Sequence, residues 1–461
     1  MGQELPFGLK RLNPRGKREQ QSLEVPPSSV VVRLLGHIRK ISDRFARVKI
    51  DLLAELEWRG LKYQHTAGLA EALAAGRVAA YCGFDPTADS LHVGSLVQIM
   101  GLVHLERAGH RPVLLVGGGT GLIGDPSGKA NERQLVDQAT IETNAQRIAD
   151  QVRRFVTFDL VNNAEWLTSL NLVEFLRDVG KHFTVNYMLQ KESVSARMDA
   201  GISFTEFSYM LLQAYDFLEL HRRQGVTLQI GGSDQWGNIT AGIELIRRTT
   251  GNEANALTLP LVTNSAGTKF GKTESGTVWL DPAKTSPYQF YQFWINIDDR
   301  DVGRYLRYFT LFDREEIESL ESRVAQHPER REAQHALARD VTTRVHGSDA
   351  EASAARVSTV LFGAGVSLRD LTLDDLGMLR SEMPYVTANF DKAMDAVELA
   401  AGHGILASKG EARRLIQQGG LYVNDRRLTP ETTAIGTDDL LAGRYVILRK
   451  GARNRTLIEF V

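Results

Sequence analysis

The 461-residue chain has a single cysteine, Cys82. That excludes an internal disulfide framework and a cysteine-built zinc site. No apolar run reaches the roughly 18 residues that a membrane span needs. Net charge is also nearly absent, with 55 Lys and Arg against 56 Asp and Glu, a formal charge of −1. Together these absences read as a cytoplasmic, globular protein with no membrane attachment and no metal held by its own side chains. What is present suits folding: 43 % of residues are hydrophobic and 24 % charged, ordinary values for globular domains. At about 150 residues per domain, the length suggests about three domains.

The balance of charge hides an asymmetry. Residues 1–50 carry 11 basic and 4 acidic residues, and 403–461 carry 10 and 6, which leaves the middle near −12. An acidic body with basic ends suits a localised anionic partner, although ordinary surface variation explains it equally well. Residues 1–47, with Pro14-Arg15-Gly16 and Pro26-Pro27-Ser28-Ser29, read as a basic, flexible N-terminal extension. The segment lacks the apolar core of a secretory signal, and its Arg-rich, acid-poor composition leaves a transit peptide open.

From 48 to 286 strand-like and helix-like stretches alternate, the pattern of an α/β domain around a parallel sheet. Val78 to Cys82, Pro112 to Val116 and Leu228 to Ile230 are the expected strands, and Gly94 to Ala108 is an expected helix ending at Gly109. Residues 287–385 read as a helical domain, with Asp313 and Glu316 at capping-box spacing. Pro384 and the residues after it read as a linker, 386–395. The final 396–461 read as a small α+β module, in which Ser408 and Glu411 open a helix, Gly419-Gly420 stops it, and Leu421 starts a strand.

Four segments carry the chemistry. Gly119-Thr-Gly121-Leu-Ile-Gly124 fits the dinucleotide-binding spacing, but Asp125-Pro126-Ser127-Gly128 breaks the chain where that site needs a long helix. A nicotinamide or flavin site is therefore rejected, although the glycines still permit close approach to a ligand. Gly83 to Ser95 lies between a strand and its helix, where helix N–H groups attract anions. His92 there can donate to a phosphate, and Gly94 leaves room for a nucleoside; taken alone, His92 also suits a structural role. Lys269-Phe270-Gly271-Lys272-Thr273 places two lysines where they could grip a triphosphate whose charge shifts during reaction, or simply face solvent. On a helix near 203–220, Tyr209, Gln213 and Asp216 share one face at i, i+4, i+7. A wet face is the ordinary explanation, yet no lysine or arginine lies between 203 and 220, so a binding face is as good a reading.

From about residue 50 to the end, these segments in this order resemble the bacterial-type tyrosyl-tRNA synthetases, a class I aminoacyl-tRNA synthetase family. Tyr81 to Ser95 resembles the HIGH-type signature and Lys269 to Thr273 the KMSKS-type loop. Leu115 to Lys129, Ile202 to Tyr209 and Leu228 to Asn238 match as well. The resemblance implies a Rossmann-like catalytic domain (48–286), a helical anticodon-binding domain (287–385) and an RNA-binding module of the S-four type (396–461). It implies activation of L-tyrosine by ATP with Mg²⁺, no tightly bound cofactor, and transfer of tyrosyl to tRNA(Tyr). By the same resemblance Tyr81 and Asp216 bond the substrate phenol, while Asp125, Tyr209 and Gln213 hold its ammonium and Gln229 lies near its carboxylate. Gly83, Asp85, Gly94, Gly232, Asp234 and Gln235 frame the adenylate, with Cys82 and Thr87 at the ribose and phosphate. His92, Lys129, Arg133, Lys269, Lys272 and Thr273 act on the phosphates. Lys409, Arg413, Arg414, Arg426 and Arg427 form the RNA-facing surface of the last module, and a homodimer forms through the segment around Phe175–Met188. One position departs from the family pattern: Ser95 stands where the signature ends in histidine. The competing readings are a tryptophan-specific relative and a paralogue that has lost catalysis and kept RNA binding.

Overall fold

The computed structural model describes residues 50–461, apart from 128–135, 196–197, 199–200, 274–275, 363–366, 391–392 and 452–453. Its main sheet holds β1 (Gln64–His65), β2 (Ala79–Phe84), β3 (Arg111–Val116), β4 (Asp159–Asn162), β5 (Leu228–Gly232) and β6 (Asn255–Leu259) in the order β1-β6-β5-β2-β3-β4. Every pairing is parallel except that of β1 with β6. From β2 the chain winds outward to β3 and β4, then returns to the other side of β2 for β5 and β6. That reversal opens a crevice at the carboxyl ends of β2 and β5, where ligands bind in open α/β sheets.

Alternation along β2 divides its side chains between two layers. Ala79 and Tyr81 join Val113, Leu115 and Val161 in a core closed by the helices Phe204–Gln224 and Trp236–Thr250. The helix Leu96–Arg107 is buried along most of its length, from Leu96 to Leu105 with Gln98 the half-buried exception. It follows a short turn, Val93–Ser95, so the expected helix starts two residues late. The helix Phe204–Gln224 is capped by Ser203, whose hydroxyl accepts from the Glu206 amide, and it ends at Gly225 in the left-handed region.

A hairpin of β7 (Lys272–Thr273) and β8 (Gly276–Thr277) leads into the helices of 287–382. Phe270, just before the hairpin, stacks on Phe309 at 5.2 Å and contacts Tyr305 at 4.7 Å. The buried Arg59 guanidinium pairs with Glu55 at 2.6 Å and donates to the carbonyls of Arg307, Thr310 and Phe312 at 2.8–3.1 Å. It thereby satisfies carbonyls around the end of the helix Asp299–Phe309, groups that the helix itself leaves unpaired. The Asp313 side chain caps the next helix as expected, while the reciprocal two-sided box forms at Thr372 and Asp375.

The stretch 386–395 differs from the expected linker. It takes in most of β9 (Tyr385–Ala388) and all of β10 (Ala393–Asp395). The later strands are β11 (Leu421–Val423), β12 (Arg426–Arg427), β13 (Ala434–Gly436), β14 (Tyr445–Lys450) and β15 (Asn454–Phe460). β9 runs parallel to β15 and β10 pairs antiparallel with β13, so partners about 70 and 40 residues away supply the order that Pro384 conceals locally. Among the described residues no helix is long and apolar enough to cross a membrane.

Candidate active site

The crevice holds a cavity of about 460 Å³. At its closed end, Tyr81 on β2 is fully buried and its hydroxyl has no hydrogen-bond partner among the described residues. Asp216, one per cent exposed, accepts from Asn163 Nδ2 at 2.9 Å and from Trp166 Nε1 at 2.8 Å. Burial nevertheless pushes its carboxyl up to about 8, those two bonds opposing the rise. Burial, with Asp216 nearby, also holds the Tyr81 phenol well above its ordinary range.

A polar chain lines the middle. The Tyr209 hydroxyl donates to Asp85 at 2.8 Å, and Thr120 donates to the other Asp85 oxygen at the same distance. Gln235 donates to Asp125 at 2.8 Å, Gln213 donates to Gln235 at 3.2 Å, and Asn238 donates to Gln213 at 3.0 Å. Tyr209 has spent its proton on Asp85, so its oxygen faces a ligand as an acceptor. Carboxylates and acceptors concentrated here suit a cationic group. Gly117 makes this arrangement possible: a Cβ there would lie 2.1 Å from Asp85 Oδ1.

The outer end has a different character. The Gly94 amide donates to His92 Nδ1 at 3.0 Å, which leaves the neutral ring's proton on Nε2. Burial and then Lys272 lower the His92 pKa, so the ring is a neutral donor at pH 7. A Cβ on Gly94 would lie 2.8 Å from that ring and displace it. The Val93 amide donates to the Val278 carbonyl at 3.0 Å, and His92 bridges to Trp279. These contacts fasten the lysine-bearing hairpin against the turn. A buried apolar-walled end with one phenol and one carboxyl, an acceptor-lined middle and a donor-lined mouth fit an amphoteric aromatic molecule joined to an anion.

Comparisons agree with that geometry. Residues 73–363 match the model for class I tRNA synthetases (W and Y), and 375–458 match the tyrosine–tRNA ligase C-terminal domain. The chain belongs to the tyrosine–tRNA ligase family. The tyrosine–tRNA ligase of Bacillus caldotenax is 53 % identical over 422 residues, covering 89 % of this chain and 100 % of the relative. That of Thermobifida fusca is 51 % identical over 425 residues, covering 88 % and 98 %. Among solved structures, a C-terminally truncated mitochondrial tyrosyl-tRNA synthetase from Aspergillus nidulans matches with a TM-score of 0.61 and 29 % identity. It covers 72 % of this chain and 100 % of the other.

Within this member of the tyrosine–tRNA ligase family, Tyr81, Asp125, Tyr209, Gln213, Asp216 and Gln229 all line the one cavity. So do Cys82, Gly83, Asp85, Thr87, His92, Gly232, Asp234 and Gln235, and so does Ser95. Lys269 and Lys272 instead line a neighbouring cavity of about 620 Å³ and are exposed, while Thr273 lies in β7. Both lysines still act on the main site electrostatically, Lys269 on Asp234 and Lys272 on His92. Lys129 and Arg133 lie outside the described residues.

In the last module Lys409, Arg413, Arg414 and Arg427 are exposed, with Lys409 paired to Glu398. Arg426 departs from the expected RNA-facing set. Its guanidinium holds Asp439 at 2.9 Å and the carbonyls of Thr432 and Ala434, so it is committed to the module's own loop. Sequence reasoning missed Asn163, Trp166, Thr120 and Asn238. Asn163 and Trp166 follow the carboxyl end of β4, and a polar pair plus a tryptophan just past a strand end was the signal available.

Proposed function

We propose that this cavity activates L-tyrosine with MgATP and then esterifies tRNA(Tyr). The observation that carries the reading is the buried Tyr81 hydroxyl, without a hydrogen-bond partner among the described residues, beside the equally buried Asp216. A substrate phenol donating to Asp216 and accepting from Tyr81 pairs that hydroxyl and adds a third bond to Asp216, whereas phenylalanine leaves the Tyr81 hydroxyl unpaired and sets an apolar ring edge against the Asp216 carboxyl. The substrate ammonium faces Asp125, Tyr209 and Gln213, and its carboxylate lies near Gln229.

One carboxylate oxygen attacks the α-phosphorus of ATP, the bond to the bridging oxygen breaks, and pyrophosphate leaves with that electron pair. No side-chain nucleophile is needed, so positioning and cations that grip the departing charge carry the rate. His92 donates through Nε2, and Lys269, Lys272, Thr273, Lys129 and Arg133 act on the leaving pyrophosphate. Mg²⁺ arrives with ATP as part of the substrate. In the second step a ribose hydroxyl at the tRNA 3′ end attacks the tyrosyl carbonyl, and AMP leaves.

The helical region reads the anticodon, with the last module binding RNA backbone through Lys409, Arg413, Arg414 and Arg427, in the cytoplasm where translation proceeds. A homodimer covers the apolar side chains of Leu172, Val173, Leu176 and Val185, which are 50–72 % exposed in the single chain. Tyrosine-dependent ATP–pyrophosphate exchange without tRNA tests the first step. Exchange with tyrosine and not with phenylalanine or tryptophan is expected. Folded protein that gives none overturns the reading.

A further inference from the structure

Asn238, in the first turn of the helix Trp236–Thr250, is three per cent exposed and stands behind the cavity wall that Gln213, Gln235 and Asp125 line. Its Nδ2 atom donates to Gln213 Oε1 at 3.0 Å and to Gln235 Oε1 at 3.3 Å. Gln213 Nε2 donates to Gln235 Oε1 at 3.2 Å, and Gln235 Nε2 donates to Asp125 Oδ2 at 2.8 Å. The Ser127 amide donates to the other Asp125 oxygen at 2.9 Å. Three carboxamides thus run in series to one carboxylate.

A carboxamide fills nearly the same space when turned end for end, so its neighbours, and not its packing, decide which end donates. Asp125, as a carboxylate, only accepts. It turns the Gln235 NH₂ group toward itself and the Gln235 oxygen back toward Gln213. The Gln213 NH₂ group answers that oxygen, which leaves the Gln213 oxygen to Asn238. Asn238 closes the series with a donor, so every bond points toward Asp125. In that direction Gln213 Oε1 keeps a second lone pair for a ligand, and a substrate ammonium meets oxygens. With Gln213 turned the other way, the ammonium would meet N–H groups, and buried donors would face a cation unpaired.

We infer that Asn238 is a positioning residue for the substrate ammonium, its buried NH₂ group setting the direction of the carboxamide series so that Gln213 and Asp125 face that cation as acceptors. This rests on the tyrosine-activating reading above. Pyrophosphate exchange should be measured for the parent chain, Asn238→Leu and Asn238→Asp. The competitive inhibitor 3-(4-hydroxyphenyl)propanoate, which is tyrosine without its ammonium, serves as the control ligand. Both variants keep the side chain's size and remove the donor. The KM for tyrosine should rise about 2- to 12-fold in each, as expected for one hydrogen bond. The KM for ATP and the inhibition constant of the propanoate should stay put. Asn238→Asp is the sharper test, because two lines of reasoning predict opposite signs. Its charge alone would attract the ammonium and lower the KM for tyrosine. A second acceptor-only end instead sets the Gln213 and Gln235 oxygens against each other and raises it. An unchanged KM for tyrosine in Asn238→Leu overturns the inference, and so does a lowered one in Asn238→Asp. An equal rise for tyrosine, ATP and the propanoate also overturns it, being the mark of a merely structural residue. Should Asn238→Leu fail to fold, Asn238→Asp decides alone. Absence of exchange in the parent chain defeats the underlying reaction instead, so the two failures are distinguishable.

Discussion

Removing the Tyr81 hydroxyl should move stability and substrate binding in opposite directions. Tyr81 is fully buried, its ring meets Phe217 edge-on at 5.2 Å, and its hydroxyl lacks a partner among the described residues. An unsatisfied buried hydroxyl costs about 1–3 kcal/mol, whereas one made hydrogen bond returns about 0.5–1.5 kcal/mol net. Tyr81→Phe keeps the ring and its packing. Without substrate it should therefore be at least as stable as the parent, by roughly 0–2 kcal/mol, part of the gain being lost to the small space vacated. With tyrosine the same change deletes one bond to the phenol, so kcat/KM should fall roughly 2- to 12-fold at about 1.4 kcal/mol per decade. Phenylalanine should improve, since no Tyr81 hydroxyl is then left unpaired and Asp216 keeps its bonds from Asn163 and Trp166. Thermal unfolding without ligand, combined with pyrophosphate exchange on both amino acids, reads all three quantities. A clearly lowered unfolding midpoint with unchanged tyrosine kinetics would refute the reasoning, because it would make Tyr81 a packing residue.

Asp216 supplies a pH test. With its carboxyl pushed up to about 8, it accepts most strongly from the phenol once it has lost its proton, because a bond to the carboxylate is charge-assisted. The KM for tyrosine should accordingly climb up to tenfold per unit as pH falls from 8 to 6, and a flat profile would exclude the role. The native state holds this proton up to about pH 8 and the unfolded chain only to about 4, so the group's contribution to stability is full below pH 4 and declines as pH rises to 8. Trp166→Phe removes the donor 2.8 Å from Asp216, a bond that holds the carboxyl down. It should raise the tyrosine KM several-fold and shift that pH profile upward, and an unshifted profile counts against it. Leu176→Asp places charge on the exposed apolar patch and should give monomers by sedimentation velocity, whereas a persisting dimer refutes that interface. Ending the chain after Glu382, before β9, should preserve pyrophosphate exchange and cripple tRNA charging, and equal loss of both would contradict the division of labour.

What the sequence revealed and what it hid separate along physical lines. The strands β2, β3 and β5, the cap at Ser408 and the stop at Gly419 depend on neighbours within a few residues, so local pattern sufficed. The shared face of Tyr209, Gln213 and Asp216 was legible because helical geometry alone determines it. By contrast, Trp166 reaches Asp216 across 50 residues, and Arg59 reaches the Thr310 carbonyl across 251. Neither leaves a periodic trace. The linker reading failed for the same reason, since β9 is a strand only because β15 offers it an edge. Arg426 misled in the opposite sense: a basic dipeptide in a turn looks available for RNA until Asp439, 13 residues on, is seen to hold it. The site thus joins two kinds of information. Groups that would touch substrate sit in short segments whose spacing the chemistry dictates, while the groups that tune them, such as Asn163 and Trp166 on Asp216, are recruited from elsewhere by the sheet. Substitutions among the tuning groups should therefore alter pH dependence and selectivity before they alter the reaction itself.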